Sequence, residues 1–205
     1  TGNAGSGRST LAMRYAKAVS RAKGEKNARI AKIYAEDFNK KDIPSTVAKI
    51  AGGTLIIEEA GDLSEEVVSQ LSTAMEFRTN GLVIILEDEK GYLKELMDHH
   101  PEFAEKFTSA IDIPIFTNDE LVSFGETYAL EEDYRIDEGA IASLYDRIGE
   151  MQTPDHPVTV ADVKEIVDQA IRHVERAGLR KLGMILSRKR YDKEDRVVLY
   201  AKDFR

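Results

Sequence analysis

Residues 2–9 read Gly-Asn-Ala-Gly-Ser-Gly-Arg-Ser and run without a break into Thr10-Leu11-Ala12-Met13-Arg14-Tyr15. Leu11, Tyr15, Ala18 and Val19 recur at helical spacing, so the pattern predicts a helix starting near Ser9. Glycines let several backbone N–H groups converge on one anion, and the dipole of the following helix adds to the attraction. The spacing is that of a phosphate loop, G-x-x-x-x-G-K-[S/T], with Arg8 where lysine belongs. In such a loop the lysine reaches the β- and γ-phosphates, and the hydroxyl coordinates Mg²⁺. The candidate phosphate-binding residues are therefore Gly2, Asn3, Ala4, Gly5, Ser6, Gly7, Arg8, Ser9 and Thr10, with Ser9 also a candidate metal ligand. Arg8 keeps the charge but is planar and bulkier, which is not a neutral exchange. A purely structural turn is the competing reading.

The rest of the first half supplies a sheet. Residues 30–34, 54–57, 82–86 and 111–116 are short apolar runs that predict strands, and residues 44–51 and 64–78 carry helical stripes. Strands alternating with helices predict an α/β domain with a mostly parallel sheet. The run at 54–57 ends in adjacent acids, Glu58 and Glu59, about fifty residues after the loop. In phosphate-loop enzymes the first such acid supports Mg²⁺ and the second polarises the attacking water. Glu58 is thus the candidate metal residue and Glu59 the candidate catalytic base. A strand running into an acidic surface loop is the alternative. After residue 117 the stretches 118–130, 137–150 and 159–177 predict helices with no strand between them, and 196–200 predicts a lone strand or extended tail.

Composition narrows the function classes. Apolar residues make up 42% of the 205, enough for a packed core. With no cysteine, disulfide frameworks and thiolate chemistry are excluded. No apolar run approaches the ~20 residues needed to cross a bilayer, and no secretory leader is visible, so a cytoplasmic location is expected and a membrane partner is not. The net charge of −8 argues against general coating of nucleic acid.

At this point the chain resembles a known family, the AAA+ ATPases of the red-type rubisco activase and stage V sporulation protein K kind. The residues that carry the resemblance are Thr1 to Gly7, the run Gly52-Gly53-Thr54-Leu55-Ile56-Ile57-Glu58-Glu59-Ala60, His100-Pro101-Glu102-Phe103, Ile111-Asp112-Ile113-Pro114 and Asp119-Glu120-Leu121. The resemblance implies a P-loop NTPase core over residues 1–117, a helical lid over 118–180 and a C-terminal tail over 181–205. It also implies a sheet with the phosphate loop at its middle, ATP or ADP with Mg²⁺ as cofactors, and other AAA+ modules and a protein client as partners. The strand that normally precedes a phosphate loop is missing from the sequence, which suggests a piece of a longer polypeptide.

Several departures from the family pattern bear on activity. Where the family carries arginines that reach a neighbouring subunit's ATP, this chain has Ala104 and Lys106; such arginine fingers are worth ~10³–10⁵ in rate. The family's sensor arginine in the lid corresponds to Ala161, with Lys164 one turn on. The family's aromatic pore loop is replaced by Asp37-Phe38-Asn39-Lys40-Lys41-Asp42-Ile43-Pro44. After the strand at 82–86 comes Glu87-Asp88-Glu89, where the family has small or neutral residues. A carboxylate ~6 Å from a phosphate charge costs roughly 3 kcal/mol at an effective dielectric near 20. These acids either face the nucleotide or form a solvated turn aimed away from it. The expectation is a degenerate module with weak nucleotide binding and slow or absent hydrolysis; the competing expectation is an active remodelling ATPase completed by a partner's arginines.

Other candidates carry less. His99 and His100 are adjacent, point in different directions and lack metal-ligand spacing. Ser9 and His156 do not form a nucleophile pair, and Arg188-Lys189-Arg190 reads as a solvated basic surface.

Overall fold

The computed structural model describes residues 1–24, 29–77, 79–153, 157–180 and 190–205. Arg78 at the end of the expected helix over 64–78, His156, Arg188 and Lys189, and with them residues 181–189 of the expected tail, lie outside the described residues. The chain divides into two compact units, Thr1–Pro114 and Ile115–Arg205, each with its own core.

In the first unit, helix α1 (Arg8–Ala22) follows the glycine-rich turn, and strands β1 (Ile30–Tyr34), β2 (Thr54–Glu58) and β3 (Val83–Glu87) form a parallel sheet in the order β1-β2-β3. Between them lie α2 (Ala35–Phe38), α3 (Ile43–Ile50) and α4 (Glu65–Glu76); α5 (Lys90–His99) and α6 (Pro101–Ala104) follow β3. Every residue of β2 is buried, which is why its middle, residues 55–57, reads as continuous apolar sequence. Gly53 stands at its entry because a Cβ there would come within 2.4 Å of the Arg29 carbonyl oxygen.

The register sorts side chains onto two faces. Ile56 and Ile85 turn toward α1 and pack with Ala12 and Ala16. Leu55, Ile57, Ile84 and Leu86 turn the other way, onto a larger core with Phe38, Leu71 and Phe103. Glu58 and Glu87 are register partners at the carboxyl ends of β2 and β3, on the α1 face.

Three expectations need correction. Residues 111–116 do not form a strand; Ile113 N–H bonds only to the Thr1 carbonyl. No strand among the described residues contradicts the loop's central place: Thr1 and Gly2 lead into it from between the end of β3, where Gly2 N–H reaches Asp88 O at 3.3 Å, and residues 111–113, where Ile113 N–H reaches Thr1 O at 2.9 Å. After residue 117, however, β4 (Tyr134–Ile136) is a strand that was not expected. Residues 196–200 do hold a strand, but neither a lone one nor an extended tail: β5 (Val197–Leu199) pairs in parallel with β4, and Leu199 and Phe204 are buried in the second core.

The second unit holds α7 (Asn118–Glu131), α8 (Glu138–Met151) and α9 (Val160–Arg180), with β4 interposed where no strand was expected. Thr117 and Glu120 form a reciprocal capping box at the start of α7: Thr117 N–H donates to Glu120 Oε2 at 2.8 Å, and Glu120 N–H donates to Thr117 Oγ1 at 3.3 Å. Thr117→Ala is expected to cost about 1 kcal/mol, read as a lower denaturation midpoint with an unchanged slope.

Candidate functional site

The site is assembled where the start of α1 meets the carboxyl ends of β2 and β3. Gly7 caps α1 at φ 92, a left-handed conformation that a side chain would strain. No backbone bond uses the amides of Ala4, Gly5 or Gly7, while Ser6 N–H closes the turn onto Asn3 O at 3.1 Å. The first-turn amides of α1 add the donors that any helix leaves unpaired. Asn3, Ala4, Gly5 and Thr10 are exposed, and Gly2 and Ser6 are buried. Ser6 Oγ has no hydrogen-bond partner among the described residues. Unpaired amides at a helix start are the donors that a phosphate group takes.

Carboxylates flank the cradle. Ser9 Oγ lies 2.6 Å from Glu58 Oε1 and 2.6 Å from Glu87 Oε1. A hydroxyl has one proton to give, so the second contact requires a proton on a carboxyl. Burial, then the adjacent Glu58, pushes Glu87 up to about 7 against the opposing pull of Ser9 and Arg8. Burial also pushes Glu58 upward, but hydrogen bonds from Ser9, Glu87 and Lys32 more than offset it and hold Glu58 below the usual carboxylate range. The arrangement is a chain in which Ser9 donates to ionised Glu58 and protonated Glu87 donates to Ser9. Glu58 Oε2 and Glu87 Oε2 are buried without a recorded partner.

The cations are already engaged. Lys32 Nζ donates to Glu58 Oε1 at 3.0 Å, and that bond, with the charge of Glu58, raises the Lys32 pKa. Arg8 Nη1 turns back to Gly2 O at 2.7 Å and lies 3.8 Å from Asp88 Oδ1. Asp88 is itself fixed by Gly61 N–H on Oδ2 at 2.9 Å. Lys106 pairs with Glu76 at 3.1 Å within its own unit. In the second unit, Ala161 is exposed and the Lys164 ammonium lies 5.0 Å from the centre of the Tyr128 ring.

Ser9, Glu58 and the loop thus converge as the motif spacing implies. Glu59 does not join them: it is exposed, its backbone is left-handed at φ 53, and its carboxylate has no recorded bond. Sequence reasoning left Glu87 open between two orientations; it faces Ser9. It missed Lys32, whose signal is a lone cation inside the apolar run at 30–34. Among the described residues, no group of three or more His, Asp or Glu side chains is placed to hold a metal ion. Ser9 and Glu58 fit Mg²⁺ as hard oxygen donors, and phosphate oxygens would have to complete the coordination.

No protein-family model matches the chain. Protein CbxX of Cupriavidus necator is 26% identical over a stretch covering 86% of this chain and 61% of that protein. Protein CfxQ of Xanthobacter flavus is 24% identical, covering 87% and 63%. A chloroplastic ribulose bisphosphate carboxylase/oxygenase activase from Cyanidioschyzon merolae is 24% identical, covering 99% and 73%. The chain therefore spans about three-fifths of the first relatives' length. Among solved structures, a RuvB variant from Thermotoga maritima aligns over 99% of this chain and 57% of its own at a TM-score of 0.63 and 15% identity. Domain III of the replication initiation protein DnaA from the same organism aligns over 86% and 75% at 0.63 and 12%. Among the described residues, no helix is long and apolar enough to cross a membrane. The chain has the fold of the AAA+ P-loop ATPases, and its sequence relatives are the CbxX, CfxQ and rubisco-activase-like proteins.

Proposed function

We propose that the chain is a degenerate AAA+ module that binds ATP or ADP weakly, together with Mg²⁺, and hydrolyses slowly or not at all. Its part is structural or regulatory within a larger AAA+ protein. The observation that carries this reading is the contact of Ser9 with buried Glu58 and Glu87 beside the loop. The loop amides bind phosphate; Ser9 and Glu58 hold the cation. Glu87 and Asp88 add two further carboxyl groups beside the phosphates, and Arg8 is tied to one of them. The cation offsets that charge, so nucleotide without Mg²⁺ binds more weakly still. Glu59 is the base such hydrolysis would use, and its exposed setting gives it no orienting partner. The pairing of Lys106 with Glu76 leaves it unsuited to serve a neighbour's nucleotide.

The partners proposed are other AAA+ modules and a protein client, the latter supported by the activase name of one relative. A cytoplasmic location is proposed with them. A second reading, a scaffold that takes no nucleotide, is favoured by Glu87 lying against Ser9 rather than in solvent. The active remodelling ATPase draws its support from the meeting of Ser9 with Glu58.

Calorimetry with Mg·ATP and Mg·ADP tests the proposal. The expected dissociation constant lies between about 0.1 and 1 mM. No heat at millimolar ligand leaves the scaffold. In a turnover assay, Glu59→Gln is expected to change the already low rate less than about 2-fold; a measurable rate that collapses in this variant establishes the active ATPase instead.

A further inference from the structure

The carboxyl cluster beside the loop is already served by a cation of the chain's own. Lys32 lies on β1 in register with Ile56, so its side chain leaves the sheet on the α1 face. Tyr34, two residues on, is the register partner of Glu58. The stem of Lys32 therefore runs forward along the sheet by one pleat repeat, about 7 Å, to carry its ammonium to the carboxylate at the end of β2. There Nζ donates to Glu58 Oε1 at 3.0 Å. The Lys32 side chain is 42% exposed and that of Glu58 6%, so one end of the pair is open to solvent and the other is closed.

Glu58 leaves a metal ion little else to bind. Ser9 Oγ lies 2.6 Å from the same Oε1, so Ser9 and Lys32 together fill the acceptor sites of that oxygen. Oε2 is buried. Among the described residues, the cation bonded to Glu58 is Lys32; Arg8 turns to Gly2 O instead. A divalent ion that takes the place offered by Ser9 and Glu58 has to move an ammonium that is seated there. Mg²⁺ sheds water reluctantly and demands near-octahedral geometry. An ammonium on a flexible stem has neither requirement.

We propose that Lys32 is the resident counter-cation of this site and the residue that sets its preference for cations. It holds Glu58 Oε1 without Mg²⁺, is displaced before Mg²⁺ binds, and leaves nucleotide binding only slightly dependent on the metal. The proposal rests on the reading of Ser9 and Glu58 as the metal's ligands and adds the residue that contests them. Lys32 is a positioning residue, because it acts on metal and phosphate through Glu58. With the lysine seated, the carboxylate charge is offset, and phosphates that arrive without metal meet less repulsion. With its charge removed, Glu58 repels metal-free nucleotide and attracts Mg²⁺ more strongly. The two affinities then move in opposite directions. A residue that merely held the end of β1 in place would move both the same way.

Three variants test this. Lys32→Met keeps most of the stem, Lys32→Gln keeps a donor to Glu58, and Lys32→Arg keeps the charge. Mn²⁺, which takes the same oxygen ligands, is titrated alone at pH 8 and the free ion counted by electron paramagnetic resonance. Lys32→Met and Lys32→Gln are expected to bind it at least about 10-fold tighter than the native chain, and Lys32→Arg no tighter. Calorimetry then compares ADP in excess Mg²⁺ with ADP in a chelator. The native affinities should differ by less than about 5-fold and those of Lys32→Met by at least about 50-fold, tighter than native with Mg²⁺ and weaker without it. In the native chain, nitrogen-15 NMR should show the Lys32 ammonium signal leaving its bonded position as Mg²⁺ and ADP are added, a readout that holds even where a variant fails to fold. Equal Mn²⁺ affinities, no Mn²⁺ binding by any protein at millimolar metal, ADP affinities that shift together, or an ammonium signal unmoved by Mg²⁺ and ADP overturns the proposal. Tighter Mn²⁺ binding by the charge-removing variants with no ADP binding in any protein sinks the nucleotide reading and leaves the role of Lys32 standing.

Discussion

Glu87→Gln tightens Mg·ATP binding about 100-fold at pH 8. The carboxylate of Glu87 is buried against Ser9, the residue that opens onto the phosphate cradle. A unit charge ~6 Å from a phosphate charge costs roughly 3 kcal/mol at an effective dielectric near 20, which is two decades in affinity. Glutamine keeps the size of the side chain and can still donate to Ser9. Calorimetry of both proteins at pH 8 and pH 6 checks the expectation. With its pKa near 7, Glu87 is largely neutral at pH 6, so there the native chain should approach the variant to within about 10-fold. Equal affinities at pH 8 would falsify the view that this carboxylate limits nucleotide binding.

The second large effect is on stability. The folded chain holds a proton on Glu87 up to about pH 7, whereas an ordinary glutamate releases it near 4.5. Between those values the folded state binds more protons than the unfolded one, so stability falls as pH rises through that window and levels above it. The gap corresponds to on the order of 3 kcal/mol. Glu58 works in the opposite sense and lower down: its depressed pKa contributes stability above the ordinary value that is lost as pH falls through the folded one. Stability should therefore peak near pH 5 and decline toward pH 8. Urea unfolding at the two pH values measures it, and Glu87→Gln should remove most of the decline. A native profile that is flat from pH 5 to pH 8 would count against the shared-proton geometry.

The parts of this molecule most visible in its sequence are those set by local spacing. The loop, the start of α1 and the buried run of β2 each declare themselves within ten residues, and the meeting of Ser9 with Glu58 follows from the motif they form. The parts hidden from it depend on neighbours. Ile111, Ile113 and Ile115 have the composition of a strand, and among the described residues only Thr1 pairs with this run, at Ile111 and Ile113. β4 and β5 are three residues each, too short for an alternating pattern to register, and are held by pairing across about sixty residues of sequence. Glu87 sits one position after an apolar run, and either orientation suits its sequence; the parallel register beside Glu58 decides it.

The left-handed backbone at Glu59 has a reach beyond its own residue. By reversing the chain as it leaves β2, it delivers the Gly61 amide to Asp88, and Asp88 in turn draws the guanidinium of Arg8 away from open solvent. A twist at one peptide unit is thus transmitted through a single amide and a single carboxylate to the mouth of the cradle. Evolution or engineering could retune the charge seen by an incoming phosphate by altering the handedness of that turn, without touching any residue that contacts the phosphate.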